Sequence, residues 1–256
     1  MDAMSSTAII HDLSDQSDSE LSAGQPPASS LPPERQAGEL VAVMAHDLME
    51  PLSSVTGFLR LLQRRYAESL GPEGVELLEW CLQGTADMVG RIEGVMDQAR
   101  LGAIEPKMEC VDLEAAVGRA TVALAASVNN SEAVIQTVKG ARISADPSLL
   151  DLVLRQLLSN AIKFRRDSVR PYIRVSSVNL KGISEITVAD NGIGIEPAYR
   201  SRVFDMFVRT DTELPGFGIG LAQCRAIAER HGGSIRIEDS DLGGAAVVVT
   251  LGPATW

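Results

Sequence analysis

Apolar residues recur at alternating intervals of four and three from Val41 to Tyr66, through Ala45, Leu48, Leu52, Val55, Leu59 and Leu62. A mean period of 3.5 keeps such positions on one stripe of an α-helix, the seam by which helices pair. Gly71, Pro72 and Gly74 then punctuate a turn, and a second series follows at Val75, Leu78, Leu82, Thr85, Val89, Ile92, Met96 and Ala99. Two antiparallel helices are therefore expected over 37–103, folded as a hairpin. One hairpin cannot cover its own stripe. Pairing two of them closes a four-helix bundle around a shared core, so a homodimer is expected.

On either side of the hairpin the pattern changes. Residues 1–36 are rich in Ser, Asp, Gln and Pro and hold no sustained apolar period, so a disordered tail is expected there. Beyond the linker LGAIEPK at 101–107, the segment 108–256 mixes helical and alternating periods. An amphipathic helix is expected around 113–128 and a strand around 133–138. A helix started by Pro147 after the cap Asp146 should reach Phe164. Short apolar runs at 172–178, 183–189, 234–237 and 245–251 read as strands, the last of them β-branched and central. Helices on one face of a mixed sheet make an α/β sandwich, and the whole chain is of the α+β class.

Charge narrows the functions open to such a chain. Its 23 basic and 34 acidic side chains give a formal charge of −11, which argues against a broad nucleic-acid-binding surface. No apolar run is long enough to span a bilayer, and the acidic start lacks the basic region of a secretory signal, so a cytoplasmic protein without membrane insertion is expected. Cys81, Cys110 and Cys224 are far apart and form no CxxC pair; they are expected to be buried thiols. His11, His46 and His231 show no metal-ligand spacing. His231, before Gly232 and Gly233, is expected to cap a helix C-terminus.

His46 falls at an outward position of the first seam, where its imidazole is reachable and a ring nitrogen can attack phosphorus. Asp47 is its neighbour and Glu50 lies one turn on, the spacing that favours Glu50 as the hydrogen-bond partner while leaving Asp47 open. Pro51 removes an amide from the same turn, so a bend is expected there. Three pieces farther along suit a nucleotide. Asn160 offers an amide oxygen to Mg²⁺ and Lys163 an ammonium to phosphate. The run AspAsnGlyIleGlyIle, 190–195, follows an apolar strand; Asp190 can accept an amino proton while Gly192 and Gly194 admit close approach to a flat ring. Finally Gly216, Gly218 and Gly220 in GlyPheGlyIleGlyLeu, ending at Leu221, open a helix whose amides can hold a polyphosphate. The segment from Asp205 to Pro215 between them reads as mobile.

These residues resemble the sensor histidine kinases of bacterial two-component systems over roughly 37–252. The segment around His46 resembles the H box, AsnAlaIleLysPhe the N box, AspAsnGlyIleGlyIle the G1 box, PheAspMetPhe at 204–207 the F box, and 216–220 the G2 box. HisAspLeuMetGluProLeu, LysPheArg and GluArgHisGlyGly look especially like the phytochrome-type branch. The resemblance implies an ATP-binding domain of the GHKL type, with Asp190 on the adenine amino group, Asn160 on Mg²⁺, Lys163 on phosphate, and Phe207 and Leu221 beside the nucleotide. It further implies that His46 takes the γ-phosphate and hands it to a response-regulator aspartate, with an upstream sensor protein as a possible partner. Some positions depart from the pattern. Glu50 stands where many relatives carry Thr or Asn, which predicts weak phosphatase activity; Gln156 replaces a usual Asn, and Phe217 a small residue. A GHKL ATPase and a non-catalytic phosphotransfer scaffold are the competing readings.

Overall fold

The computed structural model describes residues 33–180, 182–210, 214 and 216–252. Helix α1, Pro33–Ala103, is interrupted at Gly71, whose φ of 66° and ψ of 178° no helix admits. Glycine takes that left-handed φ without a Cβ clash. Pro72 then starts the second arm, where its missing N–H costs no hydrogen bond. At Pro51 the expected bend does not break the helix: the dihedrals stay helical. Proline's own φ is helical, and at this exposed position water can serve the carbonyl left without a partner. Residues 33–36, expected in the tail, belong to α1, and the helix runs on into the expected linker. The expected disorder of 1–32, with His11, lies outside the described residues.

The seam of the first arm divides in two. Val41, Ala45, Leu52 and Leu59 are covered or partly covered, while Leu48, Val55, Leu62 and Tyr66 stay exposed together with Met44, Phe58 and Leu70. The second arm's seam is covered or partly covered throughout, with Thr85 buried. Gly84, Gly90 and Gly94 lie inside that arm, where glycine costs about 0.5–1 kcal/mol relative to alanine.

Two sheets follow. Strands β1 Glu109–Asp112 and β3 Arg142–Ala145 form a small antiparallel ribbon that the sequence reading missed. The main sheet has the order β2 Val134–Thr137, β4 Tyr172–Leu180, β5 Ile183–Asp190, β7 Ala245–Leu251, β6 Ser234–Asp239. Only β2 and β4 pair in parallel. The middle strand is β5; β7, expected as central, lies next to it and is buried along almost its whole length. The expected helix over 113–128 is two, α2 Leu113–Ala123 and α3 Ala125–Ser131, parted at Leu124 with no Gly or Pro to announce it.

Helix α4, Pro147–Lys163, packs Leu150, Val153, Leu154, Leu157 and Leu158 into the core with Leu113, Ile173, Ile186, Ile227 and Val249. Its cap is the expected one: the Asp146 carboxylate accepts from the amides of Ser148 at 2.9 Å and Leu149 at 3.1 Å. Helix α5, Gly220–Arg230, ends at His231. The His231 ring is buried; Nδ1 lies 2.8 Å from the Ile227 carbonyl, and Nε2 accepts the Asp146 amide at 3.0 Å. An acceptor at Nε2 requires the neutral ring, with its proton on Nδ1. Of the cysteines, only Cys224 is buried, and burial pushes its thiol up to about 12; Cys81 and Cys110 are exposed, against expectation. Both sit on elements with one open face, the second arm and the ribbon strand β1.

Candidate active site

A cavity of about 400 Å³ opens where α4, β5 and the start of α5 converge. The last turns of α4 bring Asn160 and Lys163 to its wall, and the end of β5 brings Asp190. Gly194, Gly216, Gly218, Gly220 and Leu221 line it as well. Three sequence fragments separated by some 20 to 30 residues thus meet in one space.

Asp190 is fixed by main-chain donors. Its Oδ1 accepts the amide of Gly192 at 2.8 Å and that of Ala245 at 3.1 Å. The β5–β7 register, with Ala189 opposite Ala246, is what sets the Ala245 amide there. Burial pushes the Asp190 carboxyl above the usual carboxylate range, although both amides and the Arg166 charge pull it down. Oδ2 has no such duty, which leaves it available to a donor in the cavity.

The glycines act in different ways, which their spacing did not reveal. A Cβ on Gly192 would fall 2.5 Å from the Phe164 carbonyl oxygen, so this glycine lies outside the cavity and packs behind Asp190. Gly194 has a φ of 76° and Gly218 one of 69°. Gly218 is pressed against the backbone of Phe207 and Val208, and a Cβ on Gly220 would lie 2.5 Å from Gln156 Oε1. At Gly216 the neighbour is Lys163, with Nζ 3.1 Å from a built Cβ. Phe207 is not on the cavity wall; its left-handed backbone, φ 66°, is held by its amide donating to the Gly218 carbonyl at 2.8 Å. Gln156 donates to Gln223 Oε1 at 3.0 Å, and both face the cavity. Residues 211–213 and 215 of the segment expected to be mobile lie outside the described residues.

His46 stands on the first arm with 77% of its side chain exposed, in keeping with its outward heptad position. The carboxylate that approaches it is Asp47, with Oδ1 3.5 Å from Nδ1. Glu50, favoured by spacing, makes no ion pair or hydrogen bond with the ring; at i+4 two side chains can meet, but both are exposed and need not.

Sequence reading also missed Arg166 and Gly244. The Arg166 guanidinium donates to the carbonyls of Gly192 at 3.0 Å and Gly243 at 2.5 Å, tying the loop after Asp190 to the turn before β7. A Cβ on Gly244 would fall 2.1 Å from Asp190 Oδ1. Neither residue lies in a recognisable phrase, because each serves the site through a loop distant in sequence. Among the described residues no three His, Cys, Asp or Glu side chains gather as a metal site, and no helix is long and apolar enough to cross a membrane.

Fold and site together define a class: an α/β sandwich with a glycine-lined cavity, joined to helices that expose a histidine. Known proteins of this class match the chain. A family model described as histidine kinase-, DNA gyrase B- and HSP90-like ATPase matches residues 145–255, and one described as the His Kinase A (phospho-acceptor) domain matches 36–104. The phytochrome-like protein Cph1 of Synechocystis sp. is 31% identical over 77% of this chain and 27% of its own length. Sensor protein KdpD of Escherichia coli is 32% identical over 83% of this chain and 24% of its own. Full-length ShkA, crystallised in complex with AMPPNP, superposes with a TM-score of 0.62 at 26% identity, covering 84% of this chain and 45% of that one. The catalytic domain of histidine kinase ThkA shares the fold, with a TM-score of 0.50 at 22% identity over 57% of this chain and 95% of that one. The chain belongs to the two-component sensor histidine kinase family. It spans about a quarter of the length of the curated relatives named here.

Proposed function

We propose that this chain is an ATP-dependent protein histidine kinase that phosphorylates its own His46 and passes the phosphoryl group to an aspartate of a response-regulator receiver domain. The observation that carries the reading is the single cavity shared by Asp190, Asn160, Lys163 and the glycines of 216–220, in a chain that also exposes His46. Asp190 Oδ2 accepts the adenine amino group, while Lys163 and the amides opening α5 meet the phosphates. Asn160 is the residue that would hold Mg²⁺; one amide oxygen leaves the remaining positions to phosphate and water, which suits this ion. When bound, the ion neutralises charge on the phosphate oxygens.

Asp47, whose Oδ1 lies 3.5 Å from Nδ1 of His46, is placed to accept a hydrogen bond from Nδ1–H as the two close, leaving the lone pair on Nε2. That pair attacks the γ-phosphorus in line, the bond to the β-phosphate oxygen breaks with its electrons on ADP, and the Nδ1 proton relaxes toward Asp47. The phosphohistidine then gives its phosphoryl group to a carboxylate oxygen of the receiver, and the imidazole is restored. Positioning dominates such a transfer, so the catalytic domain must move relative to the helices. The exposed half of the first seam, Leu48, Val55, Leu62 and Tyr66, is the surface for a second copy in a four-helix bundle. A plain ATPase of the related type needs a water-activating carboxylate, whereas Gln156 is engaged with Gln223.

Incubation with γ-labelled ATP tests the reading. Acid-labile, alkali-stable label mapping to His46 is expected; label on another residue, or steady ATP hydrolysis without label, would overturn it. Two further results are expected. Arg166→Ala should weaken ATP binding about tenfold by freeing the loop after Asp190, with little change in kcat; an unchanged ATP titration would exclude the clamp. Glu50→Thr should raise the rate of phosphate loss from the regulator, because an exposed carboxylate beside His46 repels the incoming anion. Vigorous phosphatase activity in the wild type would refute that.

A further inference from the structure

The glycine-rich turn also touches the helical arm. A Cβ built on Gly90 would lie 2.1 Å from Cε2 of Phe217, and one on Gly94 would lie 2.0 Å from Cδ1 of Ile219. Both glycines are buried and stand one helical turn apart, so two sockets open on one face of the second arm. Two apolar side chains from the turn fill them. By contrast a Cβ on Gly84, in the same arm, would meet nothing within 4 Å. Glycine is a poor helix former, so what Gly90 and Gly94 supply here is close approach.

Other contacts cross at the same place. The Arg91 guanidinium lies over the Phe207 ring, 5.6 Å from its centroid, and Phe207 is itself bonded to the turn at Gly218. The arm also brings Glu93 and Asp97 to the wall of the cavity that Asn160 and Lys163 line.

We propose that Gly90 and Gly94 form a two-socket docking site for Phe217 and Ile219, which seats the catalytic domain on the helical arm and competes with nucleotide. The competition rests on the reading that the cavity takes ATP. Docking pins the turn by its side chains and adds two carboxylates to the wall beside the place of a triphosphate, where like charges repel. ATP therefore favours the undocked protein, and its apparent affinity is lowered by the docked fraction. Phe217, a departure from the small residue common at its position, has its use in this contact.

Gly90 and Gly94 border the cavity from the arm side, so blocking the sockets there tests the proposal while leaving every proposed nucleotide contact intact. In the full chain, Gly90→Leu/Gly94→Leu is expected to speed amide hydrogen exchange across 216–220 and to tighten ATP binding about fivefold, as the docked fraction is removed. Gly84→Leu, which meets open space, is the control and should change neither. Circular dichroism checks that helix content is kept. Should the double variant misfold, Gly90→Ala, whose added carbon still falls on the Phe217 ring, shifts both readouts in the same direction. Exchange indistinguishable from the control, or ATP bound no more tightly, overturns the proposal. If neither wild type nor variants bind ATP, the nucleotide reading fails, and exchange across the turn alone decides whether the sockets dock it.

Discussion

Replacing His46 with alanine is expected to cut incorporation of label from γ-labelled ATP on the order of 10³-fold or more, the scale seen when a sole nucleophile is removed. ATP affinity should not change, because the histidine stands on the helical arm and every proposed nucleotide contact is in the other domain. Stability should hold within about 0.5 kcal/mol, since the ring is exposed and alanine is the best helix former. Equilibrium binding of an ATP analogue, thermal unfolding and label transfer on the same preparations separate these effects. Label persisting in His46→Ala would mean that another residue receives the phosphoryl group.

Asp190→Asn should do the reverse: ATP affinity falls roughly 100-fold, while His46 stays intact as an acceptor. The carboxylate spends Oδ1 on the amides of Gly192 and Ala245. An asparagine can keep those bonds only by turning its NH₂ toward the cavity, where it faces another donor, the adenine amino group. Flipping the amide moves the donor conflict to the two main-chain amides instead. Either orientation leaves donors opposed. The fold should tolerate the change. Burial raises this carboxyl's pKa in the folded state, so its favourable contribution is complete below the unfolded value, about 3.9, and is lost as pH rises through the folded one. At neutral pH the ionised group is thus a net cost. The asparagine variant should be at least as stable as wild type at pH 7, with its relative advantage growing across that window. A variant markedly less stable at pH 7 than at pH 4, relative to wild type, would contradict the sign. ATP binding unaffected by the change would remove Asp190 from the adenine site.

Much of this molecule could be read from periodicity alone. The alternating intervals around Leu52 and Val89 imply helices because side-chain direction repeats with backbone geometry, and Gly71 with Pro72 marks the turn for the same local reason. Asp146 with Pro147 announced α4, and the motif order announced the cavity. What escaped notice depends on partners far away in sequence. The ribbon β1–β3 is built from four-residue strands whose pairing, not pattern, makes them strands. Cys81 and Cys110 were misjudged because a residue's typical burial says little about which face of its own element is covered. Spacing favoured Glu50 over Asp47 beside His46, whereas Asp47 is the carboxylate that approaches the ring, because helical spacing gives neighbouring positions and exposed side chains need not use them. Arg166, Gly244 and the sockets at Gly90 and Gly94 all act across domain or loop boundaries, where no local rule reaches.

His231 sits far from all this chemistry, yet it fixes one end of the frame that carries it. Its ring joins the end of α5 to the start of α4, the helix that carries Asn160 and Lys163 at its other end. The imidazole is thus a rivet between the two helices, and the glycine-rich turn lies at the end of α5 away from it. With about 1.5 Å of rise per residue, an eleven-residue helix such as α5 is roughly 15 Å long, so the rivet and the turn stand about that far apart. Between them Cys224, Ile227 and Ala228 are buried, so the turn can leave the arm while the body of α5 stays seated in the core.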